Sequence, residues 1–149
     1  MKKIVLGLCL LAFAFQSQAQ KLAPVKWAYQ AVKTGEKQYN IIIIANVDAP
    51  WHIYSQFVKK GPVPTTLQFA KNPLVVLNGS TKEVGKLEKK FDNNFGAVIG
   101  SFGGKVQFIQ AVTLKVNTKT KLTGTIEYMV CNEERCLPPS KQSFEVDIQ

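Results

Sequence analysis

The sequence predicts an all-β fold, an antiparallel β-sandwich in a single domain, on three observations. Apolar and polar residues alternate with a period of two in several segments, and no segment carries a convincing helical period. Gly- and Pro-containing breaks divide the chain into eight or nine short apolar runs, the spacing of sandwich strands. No internal repeat, low-complexity tract or linker divides the chain further.

Val25, Trp27, Tyr29 and Ala31 alternate with Lys26, Ala28, Gln30 and Val32, which marks a half-buried strand. Gly35-Glu36-Lys37 turns the chain. Gln38 to Val47 then contains Ile41-Ile42-Ile43-Ile44, a β-branched run suited to a strand covered on both faces. Asp48-Ala49-Pro50 interrupts it before the extended piece Trp51-His52-Ile53-Tyr54. Gly61-Pro62-Val63-Pro64 is a break, because its two prolines remove ladder donors. Thr65 to Ala70 and Leu74 to Leu77 are short strands, and Asn78-Gly79 is the turn after the second. Lys82 to Asn94 is open between a helical turn at Lys86-Leu87-Glu88-Lys89-Lys90 and a charged loop. Gly96 to Gly104 matches no phosphate-loop pattern and reads as a turn. Lys105 to Val116 is the clearest strand, with Val106, Phe108, Gln110, Val112, Leu114 and Val116 on one face. Thr125 to Val130 delivers Cys131 at its end, and Ser143 to Ile148 is the last strand.

The first residues predict export. Lys2 and Lys3 precede an apolar run from Ile4 to Phe15, then the polar Gln16-Ser17-Gln18 and the small Ala19, the pattern of a cleaved secretory signal peptide over residues 1–19. The run is shorter than the roughly 20 apolar residues a membrane-spanning helix needs. Cleavage would leave residues 20–149, 149 − 19 = 130 in all, as one domain with no transmembrane segment, and would remove Cys9. A periplasmic location follows. The charge of the remaining chain, 17 basic against 10 acidic residues after Lys2 and Lys3 are lost, is carried by scattered lysines and one arginine. Nucleic-acid readers favour arginine with interleaved aromatics, so this charge is read as solubility and edge protection, with no nucleic-acid partner.

Cys131 and Cys136 are then the only cysteines, in Tyr128-Met-Val-Cys-Asn-Glu-Glu-Arg-Cys-Leu-Pro-Pro139. They form either a staple or a redox switch. A domain of this size can bury a core unaided, and closing so short a loop contributes only about 2 kcal/mol in the chain-entropy model. Pro138 and Pro139 stiffen the exit from Cys136, and the polar Asn132-Glu133-Glu134-Arg135 predicts an exposed tip between two late strands. Arg135 would favour the Cys136 thiolate, whereas Glu133 and Glu134 would oppose it. The spacing is not the Cys-x-x-Cys of a thioredoxin active site.

Tyr128-x-x-Cys131 with Cys136-x-Pro-Pro resembles the redox hairpin of the N-terminal periplasmic domain of DsbD, the transmembrane thiol-disulfide interchange protein. Asp48-Ala-Pro-Trp-His-Ile-Tyr54 is similar to the aromatic strand beside the cysteines in that family. The resemblance implies an immunoglobulin-like sandwich that takes electrons from a membrane-linked thioredoxin-like donor and passes them to oxidised periplasmic proteins. It makes Cys131 and Cys136 the catalytic pair, with Cys136 forming the mixed disulfide. It implies a cap phenylalanine, Phe95 first and Phe91 second, and places His52 and Tyr54 as the aromatic pair near the sulfurs. The partners implied are thioredoxin-like redox proteins and a separate membrane electron conduit, since the sequence ends after this domain; a monomer without cofactor or metal is expected. Two features depart from the family pattern. The cysteines are separated by one residue fewer than in the best-known members, and Asn93 and Asn94 stand where acidic residues precede the cap.

Other readings of the same residues stay open. The bridge can be purely structural in a secreted binding or assembly module, because a sandwich by itself specifies no function. Cys131, Cys136 and His52 make a conceivable copper or zinc set. His52 can be a packed or surface histidine, and Phe91 and Phe95 can be ordinary loop-anchoring aromatics.

Overall fold

Alternation along the longest strands decides the architecture. In the computed structural model, which describes residues 22–149, the chain forms eleven strands and, among those residues, no helix. They are β1 (Val25–Lys33), β2 (Gln38–Val47), β3 (His52–Tyr54), β4 (Thr66–Phe69), β5 (Val75–Gly85), β6 (Glu88–Asp92), β7 (Ala97–Phe102), β8 (Gly104–Leu114), β9 (Thr120–Tyr128), β10 (Val130–Cys131) and β11 (Ser140–Ile148). The signal segment expected over residues 1–19, with Cys9, lies outside the described residues.

Two antiparallel sheets build the sandwich, in the orders β1-β2-β8-β5 and β11-β9-β4. Tyr39, Ile41, Ile43, Ala45 and Val47 of β2 and Val106, Phe108, Val112 and Leu114 of β8 are buried against Leu122 and Ile126 of β9 and Phe144, Val146 and Ile148 of β11. Ile42 and Ile44 on the outer face of β2 are half-buried, so the isoleucine run is fully covered on one side only. This is the predicted immunoglobulin-like β-sandwich.

The third sheet, β10-β3-β7-β6, carries the cysteines. Each of its strands adjoins a sandwich strand in sequence. β3 follows β2 across Asp48–Trp51 with a cis Ala49–Pro50 peptide, β6 follows β5 across Lys86 and Leu87, β7 runs into β8 through Gly103, and β10 follows β9 after Met129. The small sheet is therefore held in place by the sandwich core, and its central Ile53, paired with both Val130 and Phe102, is fully buried.

Three sequence expectations change. Asn78-Gly79 is a bulge within β5 and not a turn: the register against β8 shifts between Asn78 and Lys82. The buried Gln110 of β8 explains it, since its amide donates to the carbonyls of Asn78 and Gly79 (3.1 and 3.3 Å) and accepts from the Thr81 hydroxyl at 2.9 Å. Lys82 to Asn94 is neither helical turn nor loop, but the end of β5 and all of β6. Gly96 to Gly104 contains β7, whose one glycine, Gly100, leaves room for the Leu87 side chain.

Candidate functional site

The cysteine pair is built where the small sheet meets the end of the β9–β11 hairpin. Tyr128 pairs with Ser140 at the last rung, and the chain between them folds over β3, placing Cys131 opposite His52. Cys131 and Cys136 are joined by a disulfide, S–S 2.02 Å. The four intervening residues are fixed by Asn132, whose side-chain oxygen accepts from the Glu134 and Arg135 amides at 2.9 and 2.8 Å. The Asn132 amide donates to the Arg135 carbonyl at 2.9 Å, and the Leu137 amide to that of Val130 at 2.9 Å. Arg135 lies over the Trp51 ring, 5.9 Å from its centre, where cation–π attraction holds the tip against the residue that leads into β3.

The two sulfurs differ in environment. Cys131 has 0 % of its surface exposed and shares a buried cluster with Tyr54 and Ile99, flanked by Val58, Phe95, Met129 and the half-buried Cys136. The loop is the exposed tip expected at Glu133, Glu134 and Arg135, but its first sulfur is fully enclosed. Phe95 sits in the turn between β6 and β7, edge-on to Tyr54 with ring centres 6.0 Å apart. Phe91, on β6, points outward with 60 % of its surface exposed. His52 and Tyr54, two apart on one face of β3, pack edge to face at 5.2 Å. The structure thus brings Cys131, Cys136, Phe95, His52 and Tyr54 together and leaves Phe91 outside the group.

A carboxylate that the sequence reading did not single out completes the arrangement. Asp92 is buried, accepts from the Tyr54 hydroxyl at 2.5 Å and from the Asn94 amide at 2.9 Å, and lies 3.7 Å from His52 Nε2. Burial works to raise its pKa, but the hydrogen bonds from Tyr54 and Asn94 and the nearby imidazole outweigh it, so the group sits below its ordinary range. Tyr54 is shifted far upward, by burial first and by its bond to Asp92 second, so it remains a protonated donor. Its one proton points at Asp92; the 3.3 Å contact from His52 Nε2 to the Tyr54 oxygen therefore requires the imidazole to donate through Nε2. The acidic group of this turn is therefore Asp92, one residue before Asn93 and Asn94. Asn94 has a different use: its side-chain amide donates to the Asn132 carbonyl at 3.1 Å, tying the Phe95 turn to the cysteine loop. The signal for Asp92 was local, an Asp opening Asp-Asn-Asn-Phe-Gly with Gly96 at a φ of 63°, the chemistry of a side-chain-stabilised turn. A cleft of about 200 Å³ opens beside it, bordered by Trp51, His52, Lys90, Asp92 and Asn132.

The family model described as "Thiol:disulfide interchange protein DsbD, N-terminal" matches residues 18–148. The chain belongs to the DsbD N-terminal domain family. Comparison with curated proteins gives no match. Among solved structures, the N-terminal periplasmic domain of ScsB from Proteus mirabilis is similar at a TM-score of 0.53 and 11 % identity, over 81 % of this chain and 44 % of that one, a likeness of fold. The reduced DsbD N-terminal domain of Neisseria meningitidis is 16 % identical over 82 % of this chain and 83 % of that one, with a TM-score of 0.49. Membership of the DsbD N-terminal family, with the Cys131–Cys136 bridge, supports thiol-disulfide interchange as the chemistry and thioredoxin-like proteins as the class of partner. No helix among the described residues is long and apolar enough to cross a membrane.

Proposed function

We propose that this domain relays reducing equivalents in the periplasm, from a membrane-linked thioredoxin-like donor to oxidised periplasmic proteins, through Cys131 and Cys136. The observation that carries the reading is the unequal burial of the two sulfurs beneath Phe95. Exchange requires in-line access to one sulfur, and of the two cysteines only Cys136 keeps any exposed surface. A donor thiolate attacks Cys136 Sγ, the S–S bond breaks, and Cys131 leaves as a thiolate that takes up a proton. The donor's second thiolate then attacks the donor sulfur of the mixed disulfide and leaves as part of the donor's own bridge, freeing the Cys136 thiolate. In the second half, the Cys136 thiolate attacks one sulfur of a substrate disulfide and the other leaves as a thiolate that takes up a proton; Cys131 then gives up its proton, attacks Cys136 Sγ and displaces the remaining substrate thiolate to re-form the bridge. Two electrons pass in each half.

Phe95 acts as the cap that shields the pair until a partner docks, and His52 and Tyr54 form its aromatic bed. Residues 1–19 act as a cleaved export signal and residues 20–149 as the working domain, a reading supported by the charged, apolar and small-residue sequence of the signal. The experiment is Cys131→Ala expressed in exporting cells. A covalent complex should appear on non-reducing gels, vanish with dithiothreitol, and be absent when Cys136 is also changed to Ala. Absence of any complex in the single variant would remove the exchange reading in favour of a structural bridge.

A further inference from the structure

The β6–β7 hairpin that carries the Phe95 turn has a second face. Glu88, Lys90, Asp92 and Ser101 border the cleft that also touches Asn132 and Glu133 of the cysteine loop, whereas Leu87, Lys89, Val98 and Gly100 line a groove of about 670 Å³ whose opposite wall is the segment 57–60. The groove exposes apolar surface that a folded domain ordinarily covers: Phe57 and Val98 are each 68 % exposed and Leu87 is 43 % exposed. Its charge is of one sign. Lys59, Lys60 and Lys89 line it without a single carboxylate, and none of the three makes an ion pair among the described residues, whereas the neighbouring Lys86 and Lys90 are both paired with Glu88.

The groove is also joined to the sulfurs. Val58 and Ile99 border it and at the same time pack in the cluster around Cys131. The Gly61 backbone, at the end of the 57–60 wall, lies against the Ile99 and Phe95 side chains so closely that an added Cβ would meet both. The wall itself is anchored: Glu83 accepts from the Ser55 hydroxyl at 2.8 Å and from the Gln56 amide at 2.6 Å. An occupant would therefore rest on a fixed surface one residue layer from Phe95.

We propose that this groove is a docking surface for the redox partner, and that it takes an apolar side chain carried between carboxylates on the partner's surface. The inference rests on the exchange reading above and adds the chemistry by which a partner is selected. Three unpaired lysines steer an acidic surface toward the groove, and the exposed Phe57 and Val98 supply the apolar contact that then leaves water. A concave cleft between two walls suits a protruding segment of a protein better than the flat surface of a bilayer.

The test uses the Cys131→Ala chain, whose Cys136 is free, and two synthetic peptides. Each has about ten residues, a reach of roughly 30 Å when extended. Each bears a cysteine activated as a disulfide with thionitrobenzoate, and a Leu-Phe pair flanked by Asp and Glu in one peptide and by Lys in the other. Attack by the Cys136 thiolate on the peptide sulfur releases thionitrobenzoate, whose absorbance gives the rate. The acidic peptide should react about tenfold faster than the basic one at low salt, the size expected of steering by a few charges. Lys59→Gln/Lys60→Gln/Lys89→Gln should erase most of that advantage, and Phe57→Ser/Val98→Ser should lower the rate of the acidic peptide itself. Lys71→Gln/Lys115→Gln/Lys119→Gln, which lowers the net charge equally at exposed positions elsewhere, should leave it intact. Equal rates for the two peptides, or equal losses in the two triple variants, would overturn the docking surface and leave exchange standing. Flotation of the protein with phosphatidylglycerol vesicles that depends on the same three groove lysines would reassign the groove to a membrane surface. Reaction with neither peptide would overturn exchange and docking together.

Discussion

Phe95 and Phe91 lie four residues apart in one hairpin, and their environments separate the two candidates for the proposed cap. Phe95 packs on the Tyr54–Cys131 cluster, so Phe95→Ala should expose the bridge and raise the rate of its reduction by dithiothreitol about tenfold, at a stability cost of roughly 1–3 kcal/mol for a half-buried ring. Phe91→Ala should change neither, staying within about 0.5 kcal/mol, because its ring is mostly in water. Stopped-flow reduction and urea unfolding of both variants decide the matter, and equal reduction rates would remove Phe95 from the role. Asp92 is the second residue whose position carries a prediction. Its carboxyl is depressed in the folded state despite its burial, so the carboxylate stabilises the hairpin in full above the ordinary carboxylate range near about 4 and loses that contribution as pH falls through the folded value. Hydrogen exchange at the Phe95 and Gly96 amides should therefore be flat at neutral pH, once corrected for intrinsic rates, and quicken only in acid. Asp92→Asn should flatten that acid limb and cost about 1–3 kcal/mol, the range for disturbing a buried hydrogen-bonded carboxylate.

At the scale of elements, β9 is the strand that delivers Cys131, and its most constrained residue is Gly124. A Cβ there would strike the Phe144 ring of β11 and the Gln68 carbonyl of β4, and a backbone carbonyl held in a ladder cannot move aside. Gly124→Ala should destabilise the domain by about 1–3 kcal/mol through overpacking, read as a lower urea midpoint with an unchanged slope. The sequence made β1 and β8 legible because alternation over nine or more residues registers burial directly, whereas β2 was legible from its isoleucine run and β11 only from Ser143 onward. It failed at β6 and β7 for a physical reason. On their outward faces Lys89, Val98 and Gly100 border a groove while Phe91 stands mostly in solvent, so apolar and charged residues share a face and the period disappears. The cysteines, Phe95 and the β3 aromatics were legible because each is a short motif with a fixed residue type. Asp92 and the groove were not, since they exist only when β6 is folded against β3 and the 57–60 segment.

The whole molecule separates the work of folding from the work of the bridge. The sandwich core lies between β2, β8, β9 and β11, and the disulfide belongs to a smaller cluster at one end of it. Cys131 and Cys136 are five residues apart, so the bridge removes little freedom from the unfolded chain, about 2 kcal/mol in the entropy model. A staple on which the fold depended would have to join distant segments, and here the distant segments are already joined by ladders: β10 to β3, β3 to β7, β6 to β7. Reduction should therefore leave the domain folded. Its melting temperature should fall by about 5–10 °C, which is what roughly 2 kcal/mol means for a chain of this length. Calorimetry with and without dithiothreitol, beside Cys131→Ala/Cys136→Ala, measures this. A cooperative transition preserved in the reduced protein, with near-neutral loss elsewhere in the core, is the behaviour of a domain that must cycle between dithiol and disulfide without unfolding at either end. Collapse of the transition on reduction would make the bridge a structural necessity, and a domain that unfolds whenever it is reduced could not hold Cys136 in place to meet an oxidised partner.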